Sequence, residues 1–333
     1  KINTWGKNVY VKIPVTNTKG EFCGPILKNL SKEKVKLNVT AIFTDKQVNN
    51  VLNALDPKVH SCISVFAGRI ADSGIDADHS CFRNLTSDTI GDSQRKILHI
   101  NTSIDDWDSQ GHSDYRHGTH TAGSISCHPV STAEEYQIPS ASMALGYGTQ
   151  LIVQDIVSQE GWLPPDVDYL LFESSEYGAI LHSDSWGDDT TEYTLRSGDF
   201  DAFTREYPWS LPLIAPGNNG GEVLEPANAR NVVAVGATTR DAGQEVMSSS
   251  ARGPTEDGLR GIFVVAPGVS IESARSDGER DSFNDASRLR TGTSFSTPAA
   301  ASWSAITQQM VQEGWISGAV NRTDVVIHSY DSG

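Results

Sequence analysis

Three short stretches of this 333-residue chain carry side chains that together could do covalent chemistry. They are Asp72 in "ADSGID", His117 in "RHGTHTAG" and Ser294 in "TGTSFSTP". A serine hydroxyl is a weak nucleophile until a base takes its proton, and imidazole suits that task near neutral pH. The imidazole needs a carboxylate to hold its tautomer and to balance the charge it acquires. Ser294 opens an alanine-rich run that reads as a helix. A serine there keeps its own N–H unsatisfied and aimed outward, with the positive end of the dipole behind it. That N–H can bind the oxyanion formed when the hydroxyl attacks a carbonyl. A second donor is available in "APGNNG", where the Asn218 amide follows an apolar strand and Asn219 is expected to serve only the turn. Pro298 is expected in the opening turn of the helix, where its missing N–H matters least.

These groups need rigid elements behind them. Strand-like runs are "NVYVKIPV", "VKLNVTAIF", "ISVFAGRIADSGID" (read as one strand entering a turn), "TQLIVQDIV", "AILHSDSWG", "LPLIAPGNNG", "NVVAVGATT" and "GIFVVAPGVSI". Helical patterns alternate with them, at "DKQVNNVLNAL", "HGTHTAGSIS", "DVDYLLFESSEYGA" with Asp166 as N-cap, and "SGDFDAFTREY". Short apolar strands alternating with helices predict an α/β fold, a doubly wound and mainly parallel sheet covered on both faces. In such sheets, functional groups gather beyond the carboxyl ends of strands, where the polar residues of this chain lie.

Net charge is −16, from 26 basic and 42 acidic residues. Nucleic acid or an anionic membrane would be repelled, so neither is expected as a partner. The sequence shows no apolar run long enough to span a bilayer, and Lys1 does not open a signal peptide. Five Asn-x-Ser/Thr sequons begin at Asn29, Asn38, Asn84, Asn101 and Asn321, and the cysteine count is even, at four. Both features lean towards a secreted or extracytoplasmic protein.

The chain resembles the subtilisin-like serine proteases, the subtilases. "DSGID", "HGTHTAGSI", "HSDSWG", "APGNNG", "NVVAVGATT", "APGVSI" and "GTSFSTP" match family blocks in family order over roughly residues 65 to 310. The order Asp72, His117, Ser294 is that of subtilisin. The resemblance implies a subtilisin-like fold and a serine endopeptidase working through an acyl-enzyme, with polypeptide substrates and no cofactor needed for the chemistry. Asp72 would orient, His117 would act as base and acid, Ser294 would attack, and Asn218 would hold the oxyanion. Ser185, Trp186 and Gly187 would form the substrate strand and one pocket wall, and Ala215, Pro216 and Gly217 the other. Leu224 and Glu225 would lie near the pocket floor, with Pro226 where the family often has a cis peptide. Glu225 would favour a basic residue before the cut, or else point to solvent at the rim. A non-catalytic peptide-binding relative and an ester hydrolase are the rival readings.

Departures from the family pattern are Arg116 in place of Gly before the histidine, Phe295 and Ser296 after the serine, and Ser302 in place of a helix Gly. Structural calcium is possible in this family, and Asp76 and Asp78 are its candidate ligands here. His120 is expected to pack or hydrogen-bond rather than bind metal. Four cysteines allow three pairings; flanking of the His117 segment points to Cys81 with Cys127, leaving Cys23 with Cys62, against the alternative of four buried thiols. Residues 1–57 match poorly and are expected to be an N-terminal extension packed on a catalytic domain over 58–333 with a shortened C-terminal tail. A monomer is expected, with an inhibitory pro-segment as a possible partner.

Overall fold

A computed structural model describes residues 10–15, 21–42, 45–59, 61–65, 67–84, 90–91, 94–101, 103, 116–130, 143–158, 161–163, 166–279 and 283–312. The chain divides into two compact units, Lys1–Phe66 with Ile306–Gly333, and Ala67–Ala305. The division therefore falls later than residue 57. The first unit contains β1 (Val11–Pro14), α1 (Gly24–Lys32), β2 (Leu37–Ile42), α2 (Asp45–Ala54) and β3 (Cys62–Val65). Its strands are parallel in the order β1-β2-β3. Val15, Leu27, Leu37, Val39 and Val51 are fully buried between strands and helices. The sequence reading did not anticipate α1, although Pro25 in its first turn is a helix-start signal. Cys23 is buried here; its expected pairing with Cys62 involves a side chain outside the described residues.

"ISVFAGRIADSGID" is two strands, not one. β3 pairs with β2, whereas β4 (Ala67–Asp72) belongs to the sheet of the second unit. A run of apolar residues records burial but not a change of partner, so periodicity alone could not show the break.

The second unit continues with β5 (Ile97–Asn101), α3 (His117–Ser126), β6 (Gln150–Asp155), β7 (Val157–Ser158), β8 (Gly161–Trp162), α4 (Val167–Glu176), β9 (Ala179–Asp184), α5 (Leu195–Glu206), β10 (Leu211–Ile214), β11 (Val233–Thr238), β12 (Val264–Pro267), β13 (Ile271–Ala274), β14 (Ser287–Arg290) and α6 (Thr293–Gln312), of which the residues up to Ala305 belong to this unit. Seven parallel strands form its sheet in the order β12-β11-β10-β9-β4-β6-β5. Neighbouring residues face opposite layers. Leu213 and Val235 join Ile70, Leu151, Ala122 and Ala300 under α3 and α6, while Ile214 and Ala234 join Leu171, Phe200 and Phe203 under α4 and α5. Helices thus cover both faces, as the strand pattern required. Asp166 caps α4 as expected, accepting from the Tyr169 N–H at 3.1 Å. From the central β4 the chain turns first towards β5 and later, through β9, towards β12. The switch point lies between the carboxyl ends of β4 and β9.

One layer holds a buried polar network in place of apolar packing. The Arg69 guanidinium on β4 grips both carboxylate oxygens of Asp184, and also donates to His182 Nδ1 at 3.0 Å and Gln154 Oε1 at 3.1 Å. Burial pushes the Asp184 carboxyl up and the His182 imidazole far down, so His182 serves Arg69 as a neutral acceptor. Gln154 passes the network to Glu173, whose carboxylate accepts from Asn101 at 2.8 Å and 2.9 Å. Asn101 is 4% exposed, so its sequon is not a glycosylation site in the folded chain. Removing one partner of a buried pair leaves an uncompensated charge, which costs about 3–5 kcal/mol. Asp184→Ala should therefore destabilise the second unit by that amount in urea unfolding, and a midpoint unchanged from the native chain would contradict it.

Candidate active site

Asp72 ends β4 and His117 opens α3, and the two meet with His117 Nδ1 2.7 Å from Asp72 Oδ1. Three further contacts hold them. Asp72 Oδ1 accepts the Ser73 N–H at 2.8 Å, Asp72 Oδ2 accepts the Thr121 hydroxyl at 3.1 Å, and Ser73 Oγ accepts the Gly118 N–H at 2.9 Å. Asp72 is 5% exposed, whereas His117 is half-buried. Gly118 is needed for this approach: a Cβ there would lie 2.1 Å from the Gly74 carbonyl oxygen. The sequence reading missed Thr121, although it lies one helical turn from His117 and so shares its face. Arg116 takes φ 67°, the left-handed conformation that explains why glycine is common at this place, and its guanidinium donates to the Asp277 carbonyl at 3.3 Å.

Ser294 lies in the first turn of α6, half-buried. Pro298 lies within the helix, not in its opening turn as expected. Its absent N–H would have bonded the carbonyl four residues back, which is that of Ser294. That carbonyl instead accepts the Ser185 hydroxyl at 2.8 Å, while the Ser294 hydroxyl reaches the Ser185 carbonyl at 3.5 Å. The proline thus frees an acceptor that ties the serine to the end of β9. Phe295 packs its ring against both His117 (5.2 Å between centroids) and His120 (4.7 Å). Ser296 bonds to the Val235 carbonyl at 3.2 Å and Ser302 to the Ser124 carbonyl at 3.1 Å, so two of the departures hold α6 in place.

Asn218 is exposed, and its Oδ1 accepts the Thr293 N–H at 2.9 Å and the Thr293 hydroxyl at 3.3 Å. With the oxygen held by those two donors, the amide NH2 is turned away from them. Asn219 bonds only within its turn, to Gly221 N and Glu222 O. The end of β9 carries Ser185, Trp186 and Gly187, and the end of β10 carries Ala215, Pro216 and Gly217. The Leu224 N–H donates to the Pro216 carbonyl at 3.0 Å, and the Glu225–Pro226 peptide is cis.

Glu225 is not placed as expected. It is 1% exposed and does not point to solvent. Its carboxylate accepts from Arg196 at 2.5 Å, the Asp188 N–H at 3.0 Å and the Thr194 hydroxyl at 3.0 Å. A carboxylate with those partners has no charge left for a basic substrate residue. Asp76 accepts from Asn284 and Asp78 pairs with Arg83 at 3.8 Å, and no cluster of three acidic, His or Cys ligands is present among the described residues. Cys81 and Cys127 are disulfide-bonded, fastening the loop after Asp72 to the end of α3.

The sequence profile of the subtilase family matches residues 69–329. The chain belongs to the subtilase family. Among relatives, this subtilase is 27% identical over 375 residues to the serine protease/ABC transporter B family protein tagB of Dictyostelium discoideum, covering 84% of this chain and 19% of that protein. It is 29% identical over 237 residues to serine protease AprX of Bacillus subtilis, covering 63% and 51%. It thus spans only part of the length of these relatives. The protease domain of PatA has the same fold, with a TM-score of 0.55, 23% identity, and coverage of 76% of this chain and 81% of that one. Residues 1–136 also match the transaldolase/fructose-6-phosphate aldolase profile. A probable transaldolase of Streptococcus agalactiae is 36% identical over 109 residues, which is 30% of this chain and 46% of that protein.

His120 donates from Nε2 to the Arg288 and Ile271 carbonyls at 2.9 and 3.1 Å, anchoring α3 to the β13–β14 hairpin as a packing histidine. Burial lowers its pKa to about 4. Between that value and the ordinary 6.5 the unfolded chain binds more protons, so His120's contribution is complete above pH 6.5 and is lost as pH falls towards 4. On acidification from pH 7 to 5 the native chain should lose about 2 kcal/mol more stability than His120→Gln. Parallel pH profiles of unfolding free energy would contradict this.

Proposed function

We propose that this subtilase is a serine endopeptidase. Ser294 attacks the scissile carbonyl, His117 takes the hydroxyl proton and returns it to the leaving amine, and Asp72 holds the imidazole. Attack gives a tetrahedral oxyanion, which accepts hydrogen bonds from the Ser294 N–H at the helix mouth and the Asn218 amide. Collapse expels the amine and leaves an acyl-enzyme, which water hydrolyses by the same route. The observation that carries the reading is the 2.7 Å contact between Asp72 and His117, beside a helix mouth that carries Ser294 with Asn218 bonded to its first residue. The names of tagB and AprX, both serine proteases, support it.

The substrate is an extended polypeptide that lies along Ser185–Gly187 and bonds through its backbone. The chemistry draws only on side chains and backbone of the chain, so it requires no cofactor. An oxidising, extracytoplasmic setting accords with the Cys81–Cys127 disulfide. Among the described residues no helix is long and apolar enough to cross a membrane. The acidic balance favours a monomer that binds neither nucleic acid nor an anionic surface, and an inhibitory pro-segment would occupy the same cleft.

A fluorophosphonate probe should label the native chain and not Ser294→Ala. Asn218→Ala should lower kcat about 10²–10³-fold at little cost in KM, a magnitude established on a member of this same family. A folded native chain that resists the probe and cleaves no peptide would overturn the reading.

A further inference from the structure

A segment that pairs with an extended substrate has to be held from behind. Ser185–Gly187 lies past the last pairing of β9, where the Ala215 N–H meets the Asp184 carbonyl at 2.9 Å. Its near end is tied by the Trp186 indole N–H, which donates to Asp184 Oδ1 at 3.0 Å, and by the Ser185 hydroxyl on the Ser294 carbonyl at 2.8 Å. Asp184 is itself gripped by Arg69. The far end is tied by Glu225, whose Oε1 accepts the Asp188 N–H at 3.0 Å. Between the two ends stands Gly187, which has no side chain to restrict its own torsions.

Both flanks of Gly187 converge on one side chain, Arg196 in the first turn of α5. Its Nη1 donates to Glu225 Oε1 at 2.5 Å and to Asp188 Oδ2 at 3.1 Å. Its guanidinium carbon lies 5.8 Å from the Trp186 ring centroid and 5.4 Å from that of Trp162 on β8, within cation–π range of both. A cation in the first turn of a helix opposes the helix dipole, so these partners have to offset its placement. The carboxylate that neutralises Arg196 also accepts the hydroxyl of Thr194, the N-cap of α5, at 3.0 Å. The side chains of Arg196 and Glu225 are 14% and 1% exposed, which shields the pair from the screening that weakens surface ion pairs.

We propose that Arg196 is the positioning residue of the substrate strand. It acts through its neighbours and not by touching substrate. By holding Trp186 on one side of Gly187 and Asp188 on the other, it fixes the backbone between them, along which an extended peptide bonds. An ammonium is a point charge without a planar face, so lysine here would keep the ion pair with Glu225 and loosen the hold on the indoles. The proposal rests on the endopeptidase reading above and deepens it.

The test measures kcat and KM on a long peptide that reaches along Ser185–Gly187, and on a short ester that carries a single residue before the cut. The proteins are the native chain, Arg196→Lys, and a double variant that combines Arg196→Met with Glu225→Gln. The double variant removes both charges, so no uncompensated carboxylate is left buried to unfold it. Fluorophosphonate labelling reports the nucleophile without using the strand. In the double variant KM for the long peptide should rise about tenfold, while kcat, the short ester and the labelling rate stay within about twofold of native. Arg196→Lys should fall between the two. An unchanged KM for the long peptide, or labelling that falls as far as peptide cleavage does, overturns the assignment of Arg196 and leaves the endopeptidase reading standing. A native chain that neither labels nor cleaves overturns both.

Discussion

An imidazole and a carboxylate carried by different elements have to meet within hydrogen-bonding distance, and much of the second unit follows from that. Asp72 ends the central strand β4, and His117 begins α3. For their side chains to lie 2.7 Å apart, helix backbone must touch the turn after the strand. Gly118 permits the touch, Ser73 and Thr121 hold it by hydrogen bonds, and the Cys81–Cys127 bond fastens the far end of the helix. His120 and Phe295 brace the same helix from the hairpin and from α6. The site is thus built largely from contacts between elements, each of which also packs a core layer.

α6 meets a second requirement. A helix mouth presents N–H groups without partners, but a nucleophile there must also be held in place. Pro298 leaves the Ser294 carbonyl to be taken by Ser185, coupling the helix to the strand that a substrate would line. Thr293 fixes the orientation of the Asn218 amide. These contacts join three strand ends and two helix ends at the switch point of the sheet.

The residues of the proposed site could be named from sequence because their motifs are local: Asp72, His117, Asn218 and Ser294 each sit in a few residues of fixed type. What was not legible depended on partners far away in sequence. Glu225 looks free on paper, yet Arg196 has folded beneath it. Asn101 carries a sequon, yet β5 and α4 bury its amide against Glu173. Arg69 in an apolar run gave no hint of Asp184, and "ISVFAGRIADSGID" gave no hint of a change of sheet. Residues 1–57 lie outside the 69–329 family match, and the strands β1–β3, there and just beyond, form a three-stranded sheet of their own. Composition and periodicity register burial; they do not name the element that supplies it.

The central claim is that the Asp72–His117 contact activates Ser294. Its most direct measurement is the second-order rate of fluorophosphonate labelling in Asp72→Asn, on protein shown to be folded by its unfolding transition. Asparagine keeps the shape but favours the wrong imidazole tautomer, so the rate should fall by about 10³–10⁴-fold. Labelling of the folded variant at the native rate would mean that Ser294 reacts without the pair, and would contradict the claim.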